Sequence, residues 1–152
     1  GIGKLANMDV IEVDSATGYI DTNFEGKATD CMKAFQDGID FVYLHVEAPD
    51  ECGHRHEIEN KVKSLEIIDQ KILAPVLEYL NQQQDYKVMI LPDHATPLAL
   101  RTHTSEPVPY LIYQKSKAGS LSGPVCFDED TAAQTGHFTG HGPSLIDELI
   151  AF

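Results

Sequence analysis

Basic residues are scarce in this chain: eleven Lys and Arg stand against twenty-four Asp and Glu, giving a formal charge of −13 over 152 residues. A nucleic-acid surface needs concentrated Lys and Arg, so this balance argues against such a partner. An acidic chain that handles an anionic substrate needs bound cations instead. Cysteine is sparse as well. Cys31, Cys52 and Cys126 are odd in number and far apart, which argues against a secreted disulfide framework and for a reducing, cytoplasmic setting. No apolar run approaches the roughly 18 residues of a membrane span, and no signal-peptide pattern opens the chain, so no membrane association is expected. Internal repeats and low-complexity tracts are missing. So is an initiator Met: Gly1-Ile2-Gly3-Lys4-Leu5-Ala6-Asn7-Met8 reads as the last turn of a helix already under way. We therefore expect the chain to be part of a longer protein.

What is present is the composition of a globular domain, 42% hydrophobic and 23% charged, enough for one core. Val10-Ile11-Glu12-Val13 is short and β-branched and reads as a strand, with turn composition in Asp14–Gly18. Asn23 is a candidate N-cap for a helix carrying Ala28, Met32 and Phe35, which Asp37-Gly38 ends. Phe41-Val42-Tyr43-Leu44 has the length and type of a buried strand. From His56 to Leu80 the residues Ile58, Val62, Leu65, Ile68, Ile72, Val76 and Leu80 recur at helical spacing, and Pro75 should kink or divide that helix. Lys87–Leu91 and Val108–Tyr113 read as further strands, residues 114–142 as irregular, and Ser144–Phe152 as a closing helix with Pro143 in its first turn. Strands alternating with helices predict an α/β fold, a mainly parallel sheet flanked by helices.

The chemistry gathers where apolar runs end. Directly after the run at 41–44 come Asp50, Gly53 and His54, and four residues is one helical turn, so a helix there puts Asp50 and His54 on one side. Gly53 would let backbone approach an ion closely. A carboxylate with an imidazole suits Zn²⁺ or Mn²⁺, although a solvated loop can carry the same pair. Asp93-His94 follows another apolar run; successive residues point in opposite directions and could serve different ions, or Asp93 could cap backbone amides. His103, in Thr102-His103-Thr104-Ser105, is a third ligand candidate or part of a hydroxyl-rich surface loop. Three such groups at strand ends favour a metal centre assembled from separate loops.

The order Pro49-Asp50-x-x-Gly53-His54, then Asp93-His94, then Thr102-His103-Thr104 before Pro107-Val108-Pro109 closely resembles the cofactor-independent phosphoglycerate mutases of the alkaline phosphatase superfamily, in their archaeal-type branch. The opening Gly1–Ala6, the stretch Ala16–Asn23 and Glu47–Asp50 are similar to that branch too. The resemblance implies that Asp50, His54 and His103 hold one divalent ion, Mn²⁺ or Zn²⁺, and that Asp93 and His94 hold a second, whose set is incomplete here. It implies exchange of 3-phosphoglycerate and 2-phosphoglycerate through a phosphoserine. The attacking serine and an aspartate of the second site precede, in that family, an inserted substrate domain, and nothing in residues 1–152 matches them. The chain is then expected to be an incomplete, alkaline-phosphatase-like portion, the C-terminal part of a metal-binding domain, that acts on a small phosphorylated substrate only within the longer protein. Alone it could self-associate through uncovered apolar surface. Alternatives are phosphotransfer to another substrate such as homoserine, or a noncatalytic metal-binding module. Among the remaining candidates, His45 reads as a packed or supporting imidazole and His56 as a surface group. Glu47 reads as a carboxylate that orients a ligand and Cys52 as an incidental loop thiol. The spacing of His137 and His141 invites a metal reading that the resemblance does not support.

Overall fold

The computed structural model describes residues 1–120 and 126–151, and the chain divides into two compact units. The first is Gly1–Leu80 with Thr96–Thr102; the second is Asn81–Ala95 with His103–Phe152. Together their elements make a helix-rich α/β architecture with a small sheet.

In the first unit a single turn, α1 (Ile2–Leu5), leads into an extended stretch and then α2 (Phe24–Gln36). Asn23 caps α2 as its sequence predicts: the side-chain oxygen accepts from the Gly26 N–H at 2.8 Å, satisfying a donor that has no partner within the helix. At the other end the chain leaves through Gly38, whose φ of 91° suits a residue without Cβ. The buried face is Phe24, Ala28, Cys31 and Ala34. Phe24 and Ala28 meet Ala48 and Ile72 in the core, with Leu44, Val46, Ile67, Ile68 and Val76 packed around them. Burying one such phenylalanine contributes about 1.5–3 kcal/mol.

The long helical pattern becomes α4 (Ile58–Ile68), a π turn over Asp69–Leu73, and α5 (Ala74–Leu80), preceded by the short α3 (Ala48–His54). Pro75 divides the helix as expected. It cannot donate to the preceding turn and its ring crowds the carbonyl there; the wider π turn accommodates both with one extra residue. The apolar stripe does not all face inward, however. Ile72 and Leu80 are buried, but Ile58, Val62 and Leu65 are 55%, 53% and 54% exposed. The inward position on α4 is taken by Ser64, fully buried. Its hydroxyl donates to the Lys61 carbonyl at 2.7 Å, so a small polar side chain sits there at no hydrogen-bonding cost.

The expected parallel sheet is not what forms. Among the described residues the sheet has two strands, β1 (Lys87–Ile90) and β2 (Leu111–Gln114), and they are antiparallel, with Lys87 opposite Gln114 and Ile90 opposite Leu111. Val10–Val13 and Phe41–Val46 are extended but belong to no ladder. The second still alternates like a strand, Leu44 and Val46 packing on the core while Phe41, Tyr43 and His45 are exposed. β-branched and aromatic composition favours extension; a ladder also needs a neighbour, and its direction depends on the path of the connection.

In the second unit Asp85 is a hub. Its carboxylate accepts from the Tyr86 N–H, the Ser116 N–H and hydroxyl, and the Gln114 amide, tying the start of β1 to the end of β2. These bonds, led by the Ser116 hydroxyl and the Gln114 amide, pull its carboxyl down to about 2. Lys115 ties the preceding turn by donating to the Asn81 and Gln83 carbonyls. Residues 114–142 are not wholly irregular: they include α6 (Glu129–Gln134), capped by Asp128, while residues 121–125 lie outside the described part. The closing helix α7 is Leu145–Ile150, with Pro143 in the 3₁₀ turn before it and Phe152 beyond the described residues. Lys87 holds the end of α7 by donating to the carbonyls of Glu148 and Ala151.

Candidate metal centre

The extended run 41–46 delivers the chain to α3, which starts with a fully buried Ala48 and with Pro49 in its first turn, where a missing N–H costs nothing. Asp50 and His54 then fall one turn apart on the same side of α3. His54 Nε2 and Asp50 Oδ2 face one another at 3.4 Å, with about a third of each side chain exposed. Two ligand atoms on a tetrahedral zinc, each about 2.05 Å from the ion, lie about 3.3 Å apart. The pair therefore has the spacing, as well as the donor chemistry, of two groups sharing one ion.

The opposite atom of each side chain is engaged by the segment Thr96–Thr102 of the same unit. The Thr96 hydroxyl donates to Asp50 Oδ1, and His54 Nδ1 lies 2.9 Å from the Arg101 carbonyl. That segment is fastened to the helices in turn: Lys61 Nζ donates to the Thr96 carbonyl at 2.8 Å, and His56 Nδ1 donates to the Leu98 carbonyl at 2.6 Å. Gly53 permits the approach. A Cβ there would stand 2.7 Å from the Thr96 carbonyl oxygen, so this glycine makes room for Thr96.

In the second unit Asp93 and His94 do not point apart. His94 Nε2 lies 3.4 Å from Asp93 Oδ2, and the His94 N–H donates to Asp93 Oδ1 at 3.1 Å. The turn after β1 breaks strand alternation, and the isolated antiparallel bridge Ala95↔Thr104 sets His94 beside His103, their ring centroids 3.6 Å apart. Two imidazoles, with a carboxylate against one of them, thus stand together in this unit.

The other sequence candidates take lesser places. His45 is exposed, not packed in the core; it lies 3.7 Å from the Glu47 carboxylate and stacks on Tyr43. Cys52 is not a loop thiol but fully buried within α3, and burial pushes its thiol up. His137 lies against Tyr110, whose hydroxyl meets that of Thr139. Neither His137 nor His141 joins a potential ligand group among the described residues.

Sequence reasoning missed Thr96, Lys61 and the Arg101 carbonyl. Thr96 offers a faint signal, a hydroxyl two residues beyond His94, whereas a backbone carbonyl carries none. It also missed the network in which the Tyr19 hydroxyl and the Asn60 amide donate to Glu57 while Arg55 lies over the Tyr19 ring. The Glu57 bond raises the Tyr19 hydroxyl, and the bonds from Asn60 and Tyr19 lower the Glu57 carboxyl.

The chain is 41% identical over 150 residues to a probable 2,3-bisphosphoglycerate-independent phosphoglycerate mutase of Geobacter sulfurreducens, covering 99% of this chain and 37% of that protein. It is 46% identical over 132 residues to the 2,3-bisphosphoglycerate-independent phosphoglycerate mutase of Methanosarcina mazei, covering 86% of this chain and 33% of the relative. Among solved structures it matches the PH0037 protein from Pyrococcus horikoshii with a TM-score of 0.80 at 25% identity, over 98% of this chain and 44% of that one. The chain thus spans about a third of the length of the curated relatives it matches. With residues 1–151 matched by its family model, and with carboxylate–imidazole pairs at the ends of its extended segments, the chain belongs to the Metalloenzyme superfamily.

Proposed function

We propose that the protein carrying this chain is a metal-dependent phosphoglycerate mutase that interconverts 3-phosphoglycerate and 2-phosphoglycerate. The chain would supply the C-terminal portion of its alkaline-phosphatase-like, metal-binding domain. The observation that carries the reading is the 3.4 Å approach of His54 Nε2 to Asp50 Oδ2, in a chain whose relatives bear the mutase name. By the resemblance of their motifs to the mutases and by their donor chemistry, Asp50, His54 and His103 together hold one ion, Mn²⁺ or Zn²⁺. Asp93 and His94 serve the second ion.

A divalent pair, when bound, neutralises phosphoryl oxygens and lowers the pKa of an attacking hydroxyl. The residues of this chain hold that charge in place. A chain of net charge −13 would otherwise repel a phosphorylated acid. The group that attacks is a serine contributed by the longer protein; it takes the phosphoryl group from the 3-hydroxyl oxygen and returns it to the 2-hydroxyl oxygen, so the overall reaction is an isomerisation. Mutase activity of the intact protein, measured with Mn²⁺ or Zn²⁺, should exceed a chelated control and fall at least a hundredfold in His54→Ala, on the order of the loss expected on deleting a ligand. Equal rates with and without metal would refute the proposal.

A further inference from the structure

The least expected feature of the first unit is the segment 96–101, which holds both proposed ligands from behind. We infer that Thr96 and the backbone carbonyl of Arg101 are positioning groups for the metal site: each occupies one atom of a ligand side chain and thereby selects the other atom for the ion. The inference rests on Asp50 and His54 being ligands, as proposed above.

A carboxylate has two oxygens that can rotate through one another. The Thr96 hydroxyl donates to Oδ1, so the other oxygen, Oδ2, is the one turned toward His54 Nε2. Thr96 is itself buried, at 6% exposure, so water competes poorly for this bond. An imidazole has the same ambiguity between its nitrogens. A carbonyl can only accept, so the 2.9 Å contact of His54 Nδ1 with the Arg101 oxygen requires the proton on Nδ1. The neutral ring then carries its lone pair on Nε2, the atom facing Asp50. Side-chain direction and tautomer are thus both set by one six-residue segment.

The backbone makes a local sacrifice for that geometry. Arg101 has φ of 57°, in the left-handed region that a residue with a Cβ adopts at a cost. Its own N–H and that of Leu100 both donate to the Pro97 carbonyl, closing a turn that aims the Arg101 carbonyl. His56, which holds Leu98, is likewise left-handed with φ of 59°. Left-handed backbone at Arg101 and at the residue that holds Leu98 is what results when the position of a carbonyl matters more than local comfort. The Lys61 bond to the Thr96 carbonyl and the close fit of Gly53 complete the anchorage.

The test is calorimetric titration of MnCl₂ into the metal-stripped intact protein, following the binding event that His54→Ala abolishes. Thr96→Val removes the hydroxyl at nearly constant shape and should weaken that event about 10–100-fold, while Thr96→Ser should restore it to within roughly threefold of the unsubstituted protein. Arg101→Gly relieves the strain, keeps the carbonyl and should bind normally. Arg101→Pro, with φ fixed near −65°, should bind as weakly as Thr96→Val. Should the proline variant fail to fold, the Thr96 series decides alone. A Thr96→Val protein that melts lower but binds Mn²⁺ as tightly as the unsubstituted protein overturns the positioning role and leaves the ligand assignment standing. Equal binding by His54→Ala and the unsubstituted protein overturns both.

Discussion

Replacing Gly53 by alanine sets two opposed effects against each other, and the structure decides between them. Gly53 lies inside α3, where alanine is intrinsically better than glycine by about 1 kcal/mol. A methyl group there would stand 2.7 Å from the Thr96 carbonyl oxygen and 2.9 Å from both Thr96 Cγ2 and Lys61 Nζ. The lysine tip can swing away only by giving up its bond to the Thr96 carbonyl, and the carbonyl itself is backbone, which cannot move without shifting the segment. Overpacking of this kind costs about 1–3 kcal/mol, and contact with backbone belongs in the upper half of that range. A net destabilisation of about 1–2 kcal/mol follows for Gly53→Ala. With a urea slope of about 1–2 kcal/mol per molar, the unfolding midpoint should fall by roughly 1 M. Because the displaced group is Thr96, which donates to Asp50, Mn²⁺ affinity should fall with stability. Circular dichroism against urea and the metal titration read the two effects separately. An unchanged or higher midpoint would show that helix propensity wins and that the approach of Thr96 to α3 is not tight.

Asp85 should govern part of the acid response of the second unit. Its folded-state pKa of about 2 lies below the unfolded aspartate value of about 3.9, so its contribution is fully present above about pH 4 and is lost as pH falls toward 2. Asp85→Asn should flatten the pH dependence of unfolding in that window and lower stability near neutrality; an unaltered acid limb would contradict the hub role. The half-exposed stripe Ile58, Val62 and Leu65 on α4, expressed in this chain alone, should promote self-association. Gel filtration should show elution ahead of a monomer, reversed by Val62→Lys with Leu65→Lys, and a clean monomer at high concentration would count against it.

How much of the site was legible in the sequence follows from the range of each interaction. Asp50 and His54 could be placed together because helical periodicity is local: four residues make one turn, whatever surrounds it. The cap at Asn23 and the division at Pro75 were legible for the same reason, since each acts on backbone groups within about one turn. The opposite directions expected of the Asp93 and His94 side chains did not hold because strand alternation was extended past the end of β1, into a turn where it no longer applies. The parallel sheet failed on direction and partnership. Extension at Phe41–Val46 was right, but a strand's partner is chosen by elements far away in sequence.

The sequence by itself determined the kind of chemistry: a strongly acidic chain with carboxylate–imidazole pairs at the ends of apolar runs, in an order that resembles one family of metal-dependent phosphotransfer enzymes. It also determined which residues share the turn of α3. Only the tertiary structure decided which atom of each ligand is presented, because that choice is made by a hydroxyl 46 residues from Asp50 and a carbonyl 47 residues from His54. Side-chain type is written in sequence. The orientation of a carboxylate and the tautomer of an imidazole are settled by hydrogen bonds from distant backbone, and those exist only once the chain has closed around them.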